Sequence, residues 1–393
     1  MKKVGIVSCY FQKNYGSILQ AYATQKYLDE LNIENETINI SGISREISKS
    51  KIKFYLRNIT NQNMFKAKMN SVSHFLVRKW RKNTFGKQIA TRNRMLEAFS
   101  NQNFKVSKEY NSKKELSEAC KDYSAILVGS DQLWTPANID ADYYTLTFVP
   151  DNVPKISYAT SFGVASLPEY QNEKATNFLK RINYISVREQ SGQKIIEQLT
   201  NRSCNVVCDP TLLFTDKQWM DIQKNERIVQ EKYIFCYFLG NNPEQRAFVR
   251  KLKSETGFKI VALQHIDEYI KSDCCFADIS PYDVGPGEFL NLIRNAEYVC
   301  TDSFHGSVFS ILNRKSFFTF RRFKKSNSAS TNTRLDSLLN LLGLQERLLT
   351  ADEDVLECMR RQIDYDKVHE KLQVFRNESK QFVLNALEDI RGN

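Results

Sequence analysis

The chain opens on a short apolar run, "VGIVSCY", passes through a glycine-containing turn and enters "SILQAYATQKYLDEL". There Leu19, Tyr22, Ala23, Tyr27 and Leu31 fall along one helical face. "ENETINI" then alternates polar and apolar, as a half-buried strand does. Strand, helix and strand in this order predict a βαβ unit, and such units build parallel sheets with crossover helices on their faces. The same grammar resumes after residue 94. "YSAILVGSDQLW", "KISYATSFG" and "NYISVREQSG" each run from apolar into small or polar residues, like a buried strand emptying into a loop.

A second series follows: "CNVVCDPTLL", "KYIFCYFLGNN", "FKIVALQHID", "EYVCTDSFHG" and "KSFFTF", separated by helical stretches such as "PEQRAFVRKLKSET" and "GEFLNLIRNAE". The pattern predicts an α/β protein with two Rossmann-like domains, residues 1–203 and 204–350, whose parallel sheets face a cleft. Residues 351–393 are expected to form a helical tail packing back on both, and 45–94 a basic helical excursion from the first. Ligands of open α/β sheets bind beyond the carboxyl ends of the strands, so each strand exit is a candidate cleft wall.

Composition agrees with a globular reading. The 393 residues are 41% hydrophobic, with few glycines and prolines (14 and 8), enough to bury two cores and too regular for extended disorder. Nine cysteines show no CxxC pair, which argues against a zinc site or a disulfide framework and for reduced thiols in a cytoplasmic protein. The first residues imitate a signal peptide, but the apolar run ends at Gln12 and Lys13 without a small-residue cleavage site, so it reads as a strand. No stretch approaches the length of a membrane span.

Charge changes the picture locally. Of the net +11, the segment Arg45–Arg94 carries +13, with fourteen Lys/Arg against Glu46 alone, and the remainder sums to −2. No nucleic-acid-binding module accompanies it, so no nucleic acid is expected as a partner. Within it Phe65, Met69, Val72 and Leu76 recur at helical spacing beside Trp80 and "VRKWRK". That stripe either packs on the first domain or lies on an anionic membrane surface, as an anchor and not a span.

The strand exits carry the chemistry. "EYVC" empties into Thr301, Asp302 and Ser303, then His305 and Gly306, and "SVFSIL" begins a helix. A helix start offers free N–H groups to an anion, Gly306 permits close approach with Ser307 beside it, and His305 can act as acid, base or donor near neutral pH. The competing reading is that Asp302 or Ser303 merely caps the helix and His305 packs locally. "SVREQSG" offers Arg188 as a fork for a planar anion, or a Ser186/Glu189 capping box with a solvated arginine. "VGSDQLW" offers Asp131 as a base towards a hydroxyl, or a loop aspartate in an Asx-turn. "QKNYGSILQ" brings Asn14, Tyr15, Gly16 and Ser17 to a helix start, where capping accounts for them nearly as well. In "RRFKKSNSASTNTRLD", Arg321 and Arg322 are expected in solvent, while Asn332 and Arg334 stand where a loop can close over an anion.

Taken in order, "GIVSCYFQKNYGSILQAYATQKYL", "ILVGSDQLW", "YATSFG", "SVREQSG", "CDPTLL" and "TDSFHGSVFSILNRKSFF" resemble the polysaccharide pyruvyl transferase family, from about Val4 to Leu344. The resemblance implies a GT-B-like architecture, with the acceptor on the first domain and the donor on the second. It implies transfer of a pyruvyl group from phosphoenolpyruvate to two hydroxyls of a sugar, in a bacterial surface glycan or its polyprenyl-linked precursor. It places the active-site histidine at His305 and the donor-binding arginine at Arg188. A donor with a carboxylate and a phosphate needs further cationic or N–H partners, for which Ser303, Gly306, Ser307, Asn332 and Arg334 are the candidates. Asn14, Tyr15, Gly16 and Ser17 fall to the acceptor, and Asp131 to the hydroxyl base. The better-known members carry a glycine-rich strand exit where this chain has "VGSDQLW". No cofactor or metal is implied beyond the donor, and the location implied is cytoplasmic, peripheral at the inner face of the plasma membrane. Two rivals remain at this level: a GT-B glycosyltransferase using a nucleotide sugar, and a non-catalytic component of a glycan assembly complex.

Overall fold

The apolar runs become two parallel sheets in the computed structural model, which describes residues 2–57, 85–265, 270, 273, 275–322, 333–350 and 352–392. The first contains β1 (Val4–Val7), β2 (Asn35–Asn39), β3 (Val106–Glu109), β4 (Ala125–Val128), β5 (Lys155–Thr160), β6 (Tyr184–Val187) and β7 (Asn205–Val206), in the order β3-β2-β1-β4-β5-β6-β7. The second contains β8 (Tyr233–Tyr237), β9 (Lys259–Ala262), β10 (Tyr298–Thr301), β11 (Ser316–Phe320) and β12 (Leu348–Leu349), ordered β12-β11-β10-β8-β9. Every central residue of β1, β4, β5 and β8 is buried, as expected where helices cover both faces of a parallel sheet. The order reverses between β1 and β4 in one sheet and between β10 and β8 in the other. Those switch points open the crevices in which such folds bind ligands.

Two details depart from the sequence reading. "CNVVCDPTLL" supplies β7, which pairs with β6, so the first sheet continues through Val206, past the expected division at 203. Its side chains matter less than its backbone, since two residues at a sheet edge leave little pattern to read. Arg92, counted with the solvated basic segment, is 4% exposed and donates to the carbonyls of Gln264 and Pro281 in the second half. The apolar stripe Phe65, Met69, Val72, Leu76 and Trp80 lies outside the described residues.

The halves share one apolar core. The helix Tyr15–Glu30 is buried along most of its length because the second half closes over the face that the first sheet leaves open. Tyr15 stacks on Phe289 at 4.6 Å with an interplanar angle of 4°, and Tyr22 and Phe309 both approach Trp219. A fully buried phenylalanine such as Phe289 or Phe309 contributes about 1.5–3 kcal/mol. The long helix Tyr365–Gly392 then bonds to both halves, its Asp389 carboxylate accepting from the Tyr184 hydroxyl of β6. Arg376 donates to the Leu212 and Phe214 carbonyls, Ser379 accepts from Cys208 N–H, and the Tyr365 hydroxyl donates to the Lys315 carbonyl. These ties fix the distance across the crevice to which the strand exits point.

Candidate active site

Asp131 is the first residue to be placed against the grain of its backbone. It follows β4 with φ of +83°, a conformation that costs a residue with a Cβ on the order of 1–3 kcal/mol. A bulge in β5, with Ala159 at φ +53°, turns Thr160 towards it. The Asp131 carbonyl then accepts from the N–H groups of Ser161 and Leu133, and its own carboxylate accepts from Gln132 N–H at 2.8 Å. The Asx-turn expected of a loop aspartate does not form, because the side chain bonds the next N–H and Leu133 N–H goes to the backbone carbonyl; the second carboxylate oxygen meets the Ser17 hydroxyl, 2.6 Å away. Ser17 in turn belongs to the helix start capped by Asn14, whose side chain accepts from Ser17 N–H.

Arg188 leaves β6 and turns inward, its side chain 2% exposed. The expected Ser186/Glu189 capping box does not form: Ser186 is inside β6, and the Glu189 carboxylate accepts from the Ser161 hydroxyl and Phe162 N–H. Arg188 pairs with Asp209 at 2.5 Å and with Asp131 at 3.5 Å. Asp209, at the exit of β7, is buried and also accepts from the hydroxyls of Ser130 and Thr211. From the second half, His305 brings Nε2 to 3.5 Å from Asp209 Oδ2, ion-pair range without a hydrogen bond, and Nε2 has no other partner among the described residues. Arg334, in the first turn of the helix Thr333–Leu342, reaches Asp131 at 3.6 Å. The Phe304 ring lies under both guanidiniums, 4.6 Å from that of Arg188 and 5.6 Å from that of Arg334, a cation–π platform that keeps them apart.

The electrostatics follow from these contacts. Burial opposes ionisation of Asp131, but Arg188, Arg334 and His305 outweigh it and hold the carboxyl down at about 2. Asp209 is driven well below the carboxylate range against the same burial, by His305 and Arg188. Arg188 is raised, burial notwithstanding, because Asp209 and Asp131 flank it. Arg334 moves the other way, down to about 9, through burial and the neighbouring Arg188, which Asp131 and Glu189 offset only in part. The two arginines differ because Arg188 owns the tight ion pair and Arg334 shares a longer one. A carboxylate held as low as Asp131 is a poor proton acceptor while both guanidiniums sit on it.

A cavity of about 250 Å³ opens at this point, with Asn14, Ser17 and Asp131 on one wall and Ser303, His305 and Arg322 on the other, closed by Phe304 and Arg334. Several expected contributors are committed elsewhere. Tyr15 is in the core with its hydroxyl on the Val284 carbonyl, so it offers nothing to a ligand. Gly306 N–H is taken by the Ser303 side chain, and its Cα faces Thr301, where a Cβ would come within 2.4 Å of the hydroxyl. Ser307 is buried, and its hydroxyl donates to the Ser303 carbonyl and is hydrogen-bonded to the Thr319 hydroxyl. The helix start thus caps itself, and its side chain at His305 faces the cavity. Gly16 is filled by the imidazole of His305. Asn332 lies outside the described residues.

Three residues escaped the sequence reading. Asp209 sits in "CDPTLL" and Phe304 in "SFHG", both quoted there but given no role. Arg322 was expected in solvent, yet it lines the cavity with its side chain 25% exposed and donates to the Asp302 carbonyl. Its place one residue beyond Arg321 at the exit of β11 is the signal that could have found it. Among the described residues no group of three His, Cys, Asp or Glu is arranged to hold a metal ion.

With this geometry in view, the chain can be compared with known proteins. The model of the polysaccharide pyruvyl transferase family matches residues 14–322. That span includes Asp131, Arg188, Asp209, His305 and Arg322 and ends before Arg334. No curated protein matches the chain. Among solved structures, the UDP-GlcNAc 2-epimerase of Methanocaldococcus jannaschii is 13% identical with a TM-score of 0.50, covering 99% of either chain. A protein designated a UDP-N-acetylglucosamine 2-epimerase, from Listeria monocytogenes, is 10% identical at a TM-score of 0.52, covering 98% of this chain and 95% of its own. The glycosyltransferase SnogD of Streptomyces nogalater is 9% identical at 0.42, covering 100% and 99%. For the two epimerase structures, at these identities, the likeness is one of fold, the GT-B architecture of two Rossmann-like halves.

Proposed function

The chain belongs to the polysaccharide pyruvyl transferase family, and on that premise we propose that it transfers the carboxyethylidene group of phosphoenolpyruvate to two hydroxyls of one sugar, closing a cyclic ketal. The observation that carries the proposal is the cavity bounded by His305, Arg322 and Arg334. Three cationic or protonatable groups converge on a space suited to a small molecule with one carboxylate and one phosphate. Asp131, Ser17 and Asn14 face them across it with the polar groups a sugar hydroxyl needs.

The reaction then runs as follows. A hydroxyl adds to C2 of the enol as a proton is delivered to C3, which becomes the methyl group. Phosphate leaves C2, and the second hydroxyl takes its place. The two hydroxyls lose two protons in all, of which one ends on C3 and the other on phosphate, so His305 can relay both. Arg188 and Arg334 share Asp131 in the resting arrangement. An anionic donor drawing Arg334 towards itself relieves Asp131 of a cation and makes it a better acceptor for a hydroxyl proton. Asp209 holds Arg188 and faces His305 and acts as a positioning residue. This scheme calls on no metal or further cofactor.

The acceptor is proposed to be a saccharide of a bacterial surface glycan, free or carried on a polyprenyl phosphate, and the enzyme to work in the cytoplasm where the donor is made. Attachment of the basic segment to an anionic membrane surface belongs to the same reading. Ile52 and Leu56, 51% and 59% exposed, stand among Lys49, Lys53 and Arg57 in the helix Ser44–Arg57. No helix among the described residues is long and apolar enough to cross a membrane.

The test is calorimetric titration with phosphoenolpyruvate and, separately, UDP-N-acetylglucosamine. Binding of phosphoenolpyruvate that is lost in His305→Gln and weakened in Arg322→Lys is the expected result. Heat from the nucleotide sugar alone overturns the reading in favour of glycosyl transfer.

A further inference from the structure

A second and larger cavity, of about 520 Å³, adjoins the first. The two share Phe304 and Arg334 as a common wall, and the inner end of the larger one reaches Arg188 and Asp209. Its outer walls come from three helices distant in sequence: Gln190 and Gln193 from Gln190–Thr200, Ser337 and Asn340 from Thr333–Leu342, and Phe375 and Glu378 from Tyr365–Gly392. The last two helices lie beyond residue 322, where the family match ends.

The chemistry of the lining is selective. Two guanidiniums, Arg188 and Arg334, face two carboxylates, Asp209 and Glu378, so the walls carry no excess charge to draw in an anion. Among the described residues, Arg188 Nε and Arg334 Nε are buried without a hydrogen-bond partner. Amide side chains and one carboxylate alternate with Phe375, Leu338 and Leu341. Amides and carboxylates recognise hydroxyls, and an aromatic or aliphatic face suits the C–H side of a pyranose ring. A nucleotide fits worse, since its phosphates would meet the carboxylates of Asp209 and Glu378.

We propose that this cavity is a subsite for a neutral sugar of the acceptor, adjacent in the glycan to the sugar that receives the pyruvyl group. The assignment rests on the pyruvyl-transfer reading and adds the part of the acceptor read by chain segments outside the family match. Acceptor choice is then set by Ser337, Asn340, Phe375 and Glu378, while donor chemistry stays with His305 and Arg322.

Saturation-transfer NMR on the full chain tests it, with maltose, cellobiose, lactose and N,N′-diacetylchitobiose as probes. Calorimetry with phosphoenolpyruvate is run in parallel on each protein. At least one disaccharide is expected to receive saturation from the wild type. That signal should fall at least fivefold in Ser337→Trp, which fills the cavity, and in Glu378→Gln, which keeps its shape, with phosphoenolpyruvate binding unchanged in both. Failure of all four sugars, or signals that neither substitution moves, overturns the subsite. Loss of phosphoenolpyruvate binding in the wild type with the sugar result intact strikes the pyruvyl reading and leaves the saccharide cavity standing.

Discussion

The imidazole of His305 rests on the Cα of Gly16: a Cβ built there would come within 2.0 Å of Nδ1. One residue starts the first helix of the chain and the other the helix after β10, so the contact joins the two halves at the site itself. Gly16→Ala is expected to push His305 out of line or part the halves slightly. A shift of about an ångström costs on the order of a hundredfold in turnover, while overpacking costs about 1–3 kcal/mol of stability. Steady-state kinetics beside urea denaturation separates the two. Full activity in Gly16→Ala would remove His305 from the reaction as drawn.

Gly16 also shows where sequence reading stops. The strand, helix and exit grammar located Asp131, Arg188 and His305 because buried parallel strands empty into loops at their carboxyl ends. It did not say which neighbours each would meet, since that depends on packing between residues hundreds of positions apart. Tyr15 was read with Gly16 as one acceptor motif, yet helical geometry turns it about 100° away, onto Phe289. Glu189 looked like a capping partner of Ser186 until β6 claimed the serine. Asp209 was hidden for a related reason: an aspartate before proline is a common turn residue, and only the fold brings Arg188 and His305 to it.

Asp209 is the anchor of Arg188, and breaking a buried pair by removing one charge costs about 3–5 kcal/mol. Asp209→Asn keeps the shape and loses the charge, so its unfolding free energy, measured by urea denaturation, should drop by an amount in that range. Its pH–rate profile should change shape as well, because the charge facing His305 is gone. A variant with native stability and an unaltered profile would reduce Asp209 to a turn residue.

Acid should weaken the protein through the same carboxylates. Asp131 is held at about 2 against an ordinary 3.8, and Asp209 is depressed further. For a depressed carboxylate, the stabilisation is complete above the unfolded value and is lost as pH falls towards the folded one. Asp131 alone accounts for about 2 kcal/mol lost between roughly pH 4 and pH 2. Urea midpoints measured across that window should decline, and Asp131→Asn should flatten part of the slope while leaving the region above pH 5 level. An equal slope in wild type and variant would detach Asp131 from the arginines.

Arg334 offers the opposite balance. Burial and Arg188 press it down to about 9, so its charge is poorly compensated before a donor arrives. Such a residue lowers the stability of the resting protein and returns the difference on binding an anion, the usual compromise of a site arranged for its ligand. Arg334→Met should therefore unfold at the same temperature as the wild type or a few degrees above it. Saturating phosphoenolpyruvate, at about 100 times its dissociation constant, should stabilise the wild type by about 2.7 kcal/mol and the variant hardly at all. Thermal melts with and without donor decide the matter. If Arg334→Met melts well below the wild type and keeps its donor-dependent shift, Arg334 is a structural tie between the helix Thr333–Leu342 and Asp131, and the anion must be held by His305 and Arg322 without it.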